Sequence, residues 1–470
     1  MMQAEIAVLR FGLGARPGEL AAAAAEPRAW LMAQIRGPAP SAANASLAPS
    51  DQIFAGLLAA RDERQMLQRE SAAQGSEAKM AFNAIREAYQ PHYRAQVLAR
   101  AQSAALTMRP FAERLVHFWA NHFAVSADKG VVYGLAGTLE NEAIRPHVGG
   151  RFVGLLTAVE QHPAMIAFLD NQYSVGTDSV AAQFAARFRG RNATTPNRRF
   201  GINENLAREI LELHTLGVNG GYTQADVTSF AQIITGWSIG GGKGRLAGGA
   251  PGRFYFRENL HQPGAKVFLG KTYSQAGRQQ GEAVLADLAQ RPQTAKFIAT
   301  KLVRHFIADD PPPAAVERVA RSFLKSGGDL PQVYAALIDS PESWEAKARK
   351  FKTPEDFVFS TLRALNVAPA QPEELIRTFD LLGQRQFTPG SPAGWPDTSK
   401  NWDGSDALMH RVLWASRVGA KYERGVEPAQ LAAESLGGYA RAETLSALRR
   451  ASSGSQAVAL LLMSPEFQRR

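Results

Sequence analysis

Three polar stripes in this 470-residue chain carry side chains able to move protons and hold anions. Glu113, His117 and Asn121 form the first. Asn205, Arg208, Glu209 and Glu212 form the second, and Lys301, Arg304 and His305 the third. Drawn at about 100° per residue, each set falls on one face of a helix. His261 and Lys266 add an imidazole and an ammonium from an extended segment. If the faces converge around open space, carboxylates, imidazoles and cations share a cleft, and their pKa values are driven apart as acid–base catalysis requires. In that arrangement Glu209 or Glu212 is the base or acid and His117 its partner. Asn121, Arg208, His261, Lys266, Lys301, Arg304 and His305 hold the substrate. Guanidinium and ammonium groups suit carboxylate, sulfate or phosphate, so the expected substrate is anionic or sugar-like and the reaction a hydrolysis or an elimination. Metal assistance by His117, Glu212 or His261 is a variant. Its spacing support is weak: His117 and His122 are five apart, about 140° around a helix, whereas His-Glu-x-x-His puts its pair four apart on one face. A divalent metal belongs to that variant alone, and with no haem or nucleotide motif no other cofactor is expected.

The same residues have a plainer reading. The second stripe can be a solvated face with an Arg208–Glu212 pair worth ~0.2–0.5 kcal/mol. All three stripes can be buried ion networks that fix helix packing in a non-catalytic scaffold, since such networks perturb pKa values as active sites do. His122, on the apolar side of its helix, reads as a packed core histidine.

The elements that must position these groups are helical. Gly201 to Trp237 reads as two helices joined by a glycine turn. Asn203 caps the first, Glu204 to Leu216 form its body, and Gly217 and Gly220-Gly221 end it. Thr223 caps the second, which carries Asp226, with Trp237 near its end. Residues 1–36 read as N-terminal helices and 37–50 as a Pro/Ala/Ser-rich linker. Residues 51–238 form the first half of a helical core, with a mobile polar loop over 172–200 whose arginines (187, 189, 191, 198 and 199) would bind anions on ordering. Residues 239–275 hold a glycine-rich loop and a β-hairpin, with Arg253–Arg257 and Lys266–Leu269 as strands around Pro263-Gly264. The glycine run lacks the G-x-x-x-x-G-K-[ST] pattern and is no phosphate loop. Residues 276–470 form the second half of the core. The expected fold is mainly α: one multi-helix globular bundle with one small β-hairpin insertion.

Composition excludes several classes. The absence of cysteine removes disulfides, thiolate-held zinc, iron–sulfur clusters and a thiol nucleophile. The net charge of +10 is spread along the chain, so no nucleic-acid footprint is expected, although a basic surface attracts acidic polymers. No run of about 18 apolar residues exists to span a membrane. The N-terminus carries no export pattern, which leaves a cytoplasmic or a periplasmic setting open.

Longer motifs add a resemblance. RFGLGARPGE at 10–19, FWANHF at 118–123, NENLAREILELHTLGV at 203–218 and GGYTQADV at 220–227 lead to TGW at 235–237. HQPGAKVFLG at 261–270, FIATKLVRHFIADDPP at 297–312 and GQRQFTPGSPAGWPD at 383–397 follow. The chain resembles the bacterial family called domain of unknown function eighteen-hundred, from about Arg10 to the tail. The resemblance implies a predominantly helical protein of unassigned activity. It also implies a neighbour resembling an exported sulfatase, and so a partner at the cell envelope. The family pattern places an aspartate after the histidine of H-x-x-G-x-K. Gln262 stands there in this chain, which removes any metal or acid–base role for that aspartate.

Overall fold

The computed structural model describes residues 2–70, 77–187, 201–423 and 427–470. It is mainly helical, with two small antiparallel sheets. Apolar side chains at helical spacing build it. The Pro292–Phe306 helix opens on proline, where a missing N–H costs nothing. It buries Ile298, Ala299, Leu302, Val303 and Phe306 and turns Lys301, Arg304 and His305 the other way. Helix Pro313–Ser326 packs on it, and Leu330–Ile338 packs on that. Gly327, left-handed at φ 63°, ends the first of these, and the Asp329 side chain caps the second at the Gln332 N–H. Farther on, Ser405–Tyr422 lies against Gly454–Leu462 so closely that a Cβ on Gly419 would stand 2.3 Å from the Ser455 carbonyl oxygen. Only glycine allows that approach.

The Pro110–His122 helix occupies the centre. All of it but Ala120 and Asn121 is buried, the pattern of a helix enclosed on every side. Trp119 Nε1 donates to Tyr334 Oη at 2.7 Å, and Tyr334 donates to the Val148 carbonyl at 2.9 Å. One hydrophobic cluster gathers side chains from Ile6 through Phe467, so both halves of the chain share a core around this helix.

Among the described residues three π-helical turns, Ile6–Phe11, Leu139–Ile144 and Ile210–Thr215, interrupt the regular helices. In such a turn the N–H reaches back five residues, as Arg145 does to Glu140 and Leu216 to Leu211, both at 2.9 Å. The expected helix body of Glu204–Leu216 is therefore α only over Asn205–Glu209. The wider turn ends the simple wheel for Arg208, which pairs with Glu204 at 3.0 Å and Gln224 at 2.9 Å instead of Glu212, whereas His214 is buried on the apolar side, as its spacing predicts. The caps hold where they were expected. Asn203 Oδ1 accepts from the Asn205 N–H at 2.9 Å, and Thr223 and Asp226 form a reciprocal capping box.

Other boundaries shift. The second helix of the pair stops at Ile233, and Trp237 opens a strand, Trp237–Ile239, that pairs with Phe254–Phe256. The hairpin is Lys266–Phe268 with Lys271–Tyr273, turning at Leu269-Gly270 rather than Pro263-Gly264. Leu269 (φ 48°) and Gly270 (φ 76°) both take the left-handed values that match hairpin twist. Residues 37–50 lie along the Glu77–Leu106 helix rather than apart from it: the Ala39 N–H bonds the Arg145 carbonyl at 2.9 Å, and the Ser41 and Ser103 hydroxyls meet at 2.5 Å. Within 172–200, Val180–Arg187 is a helix, and Arg189, Arg191, Arg198 and Arg199 lie outside the described residues. No helix among the described residues is long and apolar enough to cross a membrane.

Candidate functional site

A cavity of about 80 Å³ opens beside the polar face of the central helix. His117, Asn121 and Ala124 come from that helix and its end, Arg100 from Glu77–Leu106, Glu140 from the second π turn, Glu355 and Asp356 from the start of Pro354–Ala364, and His305 from Pro292–Phe306. Phe387, Pro389, Trp395, Pro396 and Asp397 close it from one loop, with Pro396 exposed at the mouth. Asn121 holds that loop: its amide donates to the Trp395 carbonyl at 2.9 Å and accepts from the Trp395 N–H at 2.7 Å. The contact needs a glycine next door, because a Cβ on Gly394 would lie 2.3 Å from the Asn121 carbonyl oxygen. On the same loop Phe387 sits at φ 56°, a strained value for a bulky residue.

One wall is a buried ion network. Arg145 forks onto Glu113 with bonds of 2.7 and 2.6 Å and reaches Glu140 at 2.9 Å. Arg100 bonds Glu140 at 2.8 Å and Glu355 at 2.6 Å. His117 stands between carboxylates, Nε2 at 3.4 Å from Glu113 and Nδ1 at 3.3 Å from Glu355. Burial alone would raise Glu113 and Glu140, but the guanidiniums outweigh it and both carboxyls lie below the usual range.

The opposite wall holds a histidine–aspartate dyad. His305 Nδ1 lies 3.0 Å from Asp397 Oδ2, and its buried Nε2 has no hydrogen-bond partner among the described residues. Burial pushes the His305 ring down to about 4, with Asp397 only partly opposing it, so the ring is neutral at pH 7. Asp397 is lowered in spite of its burial by His305, Lys350 and Arg470. Lys350 Nζ lies 3.4 Å from Asp397 and 2.7 Å from Asp309. Behind them Asp356 takes Arg114 at 2.7 Å and Arg470 at 2.8 Å, and Arg470 also donates to the His305 carbonyl at 2.6 Å.

These shifts set the acid limb of stability. Burial lowers His122 and His261 as well as His305. A histidine kept neutral in the fold contributes fully above its unfolded value and loses that contribution as pH falls toward its folded value. The lowered carboxyls act only below their own unfolded range near 4. Stability is therefore expected to fall already from pH 8, because burial lowers Lys352 to about 7, and to fall further below about 6.5 as the histidines charge, by at most about 1.4 kcal/mol per pH unit for each such group. Calorimetry across pH checks this, and His305→Gln should remove one share of the slope.

Of the residues singled out in the sequence, the structure brings His117, Asn121 and His305 to one cavity. The stripes do not all converge. Lys301 and Arg304 sit beside His305 without lining the cavity. Lys301 lies within electrostatic reach of Asp397, and Arg304 Nε donates to the Asp309 carbonyl at 3.3 Å. Glu209 is half-buried and raised by burial, near the fully buried Glu160–His214 pair at 2.7 Å, and Glu212 is half-buried beside it. Arg208 is taken up by Glu204 and Gln224. His261 packs under Phe256 and against Thr235, and Lys266 donates to the carbonyls of 262, 263 and 264. Gln262 donates to Asp178 at 2.7 Å, where an aspartate would oppose another carboxylate. His122 is a core residue bonded to the His214 carbonyl at 3.2 Å. For a metal, the group whose ligand atoms come together among the described residues is Glu113, His117 and Glu140, not His117, Glu212 and His261.

Arg100, Arg114, Glu140, Glu355, Asp356 and Asp397 were not read from the sequence. Two carried a signal: Thr353-Pro-Glu-Asp356 is a cap pattern, and Asp397 ends the GWPD motif. A family model described as "Protein of unknown function (DUF1800)" matches residues 6–469. No curated protein and no solved structure matches the chain.

Proposed function

Since the chain belongs to the DUF1800 family, whose description names no reaction, we propose from the cavity itself that it is an acid–base enzyme, a hydrolase or lyase for a sugar-like substrate. The His305–Asp397 dyad carries this reading. Asp397 fixes the proton on Nδ1, which leaves the unpartnered Nε2 as a base that is neutral at pH 7. His305 takes a proton from water or from a substrate carbon, and His117, held between Glu113 and Glu355, returns one to the leaving group. In hydrolysis the deprotonated water bonds to the reacting centre as the leaving group departs with the proton from His117. Asp397 steadies the imidazolium formed on His305.

The lining favours a sugar-like group over a strongly anionic one. Four carboxylates face the cavity against two guanidiniums, Arg100 and Arg114, and both guanidiniums are already held by acids. Trp395 supplies an aromatic wall. The space admits several waters or the reacting end of a substrate and is far smaller than a site that swallows a ligand whole. The test is turnover of a panel of sugar esters, sulfates and uronates by the full chain and by His305→Gln.

The metal-assisted variant has the right donors in Glu113, His117 and Glu140, but Arg145 and Arg100 already hold those carboxylates. A dication among them would face two guanidiniums at close range. Elemental analysis of protein purified without chelator should show no stoichiometric metal, and one equivalent per chain would install the metal variant instead.

The satisfied wall of arginines and glutamates favours a second reading, a non-catalytic scaffold that partners an envelope sulfatase-like protein. In that case no panel member turns over, and His305→Gln alters stability alone.

A further inference from the structure

A second concavity, of about 530 Å³, lies behind the catalytic cavity and is lined by Ala346–Arg349, Tyr439, Arg441, Pro465, Glu466 and Arg469. Its exposed charges are all positive: Lys347, Arg349, Arg441 and Arg469. Its one carboxylate, Glu466, is buried and occupied, accepting from the Arg441 N–H and the Thr444 hydroxyl, each at 2.9 Å. Arg349 pairs with Glu345 at the rim and Arg441 Nε lies 3.8 Å from Glu466, while Lys347 and Arg469 have no carboxylate within ion-pair distance among the described residues.

The walls are held in place. Arg10, itself buried, lies beneath one of them and donates to the carbonyls of Ser343, Glu345 and Lys347 at 2.5, 2.8 and 2.8 Å. The segments on either side are bridged, with Lys350 N–H to the Arg470 carbonyl at 3.2 Å and Arg470 N–H to the Lys350 carbonyl at 3.0 Å. Alternation along this bridge sends Arg470 inward to Asp356 and leaves Arg469 facing out into the groove.

We propose that this groove binds an anionic polysaccharide, with sulfate or carboxylate groups on the four cations and sugar faces on Ala346, Ala348, Pro465 and Tyr439. Guanidiniums fork onto planar or tetrahedral oxyanions, and the small apolar patch between them fits an amphipathic ring. A peptide docking by strand addition or by deep apolar anchors finds neither a free strand edge nor a deep apolar pocket here, and the flat Ala346, Ala348, Pro465 and Tyr439 patch between the cations suits a sugar ring better than an acidic peptide. A nucleic acid strand would need successive aromatic platforms, and Tyr439 is the one aromatic residue in the lining. The assignment stands apart from the catalytic reading, because it uses no residue of the cavity.

The experiment is calorimetric titration of the full chain with dextran sulfate, uncharged dextran and a single-stranded oligonucleotide of matched charge. Dextran sulfate should bind, weaken as salt rises, and lose roughly tenfold or more in affinity for Lys347→Glu/Arg441→Glu/Arg469→Glu. Uncharged dextran should not bind. Lys347→Gln/Arg469→Gln, which adds no repulsion, should show a smaller loss at an unchanged melting temperature, and it decides the matter if the triple variant misfolds. Unaltered dextran sulfate binding in both variants overturns the proposal, as does tighter binding of the oligonucleotide.

Discussion

His305→Gln is expected to cut turnover by roughly two to four orders of magnitude, the usual worth of a positioned general base, while the protein stays folded. The two effects separate because the exchange is neutral for neutral. Burial holds the imidazole uncharged near pH 7, so no buried charge is created when it goes. Asp397 loses one hydrogen bond but keeps Lys350 beside it. On the proposed mechanism the loss falls on kcat with KM little changed, because there Nε2 would act on the reacting bond rather than on the resting substrate. Asp397→Asn should follow in the same direction through the wrong tautomer. A melting temperature that collapses without any wild-type turnover would mark the dyad as a packing pair.

Glu113→Gln should have the largest effect on stability, a loss of roughly 3–5 kcal/mol read from chemical denaturation. Glu113 and Arg145 are both about 4% exposed and joined by a two-bond fork. Removing the negative partner leaves a guanidinium in the core with a neutral amide and only Glu140 to balance it. The penalty is that of an orphaned charge, not the net worth of the pair, so the double change Glu113→Met/Arg145→Met should recover much of the loss. If Glu113→Gln is neutral, the wall is wetter and looser than its geometry states. The pH sense is the same as that of the buried histidines, but the window lies lower. Glu113 is lowered, so its contribution is present above the unfolded carboxylate range and disappears only in strong acid.

Much of this could be read from the chain, and the rest fails for identifiable reasons. The mainly helical architecture follows from apolar spacing, from prolines at first turns and from caps such as Thr223 with Asp226. His117, Asn121 and His305 were found because regular α-helix carries each of them, so the wheel at 3.6 residues per turn holds. Glu209 and Glu212 lie outside this cavity, and the Arg208–Glu212 pairing fails because a π turn begins at Ile210 and nothing in ILELHT announces a bond to the fifth residue. Strand segments were legible, but partners were not, because Leu269-Gly270 competes with Pro263-Gly264 as a turn and only φ decides. The arginine–glutamate wall could not be told from a solvated face, because burial of Arg100, Glu140 and Arg145 depends on which helices cover them. That two of the three π turns place buried acid–base groups, Glu140 and His214, fits the tendency of such turns to occur at functional positions.

The account rests on an imidazole at His305 that is neutral, protonated on Nδ1 and without a hydrogen-bond partner on Nε2. Nitrogen-detected NMR of the labelled full chain, titrated from pH 8 downward with His305→Gln as the assignment control, measures all three properties. The expected result is an Nδ1–H ring that stays neutral until about pH 4 and whose Nε2 shift responds to a turned-over sugar ligand. An imidazolium already present at pH 7, or a proton resident on Nε2, would contradict the reading of this cavity as a catalytic site.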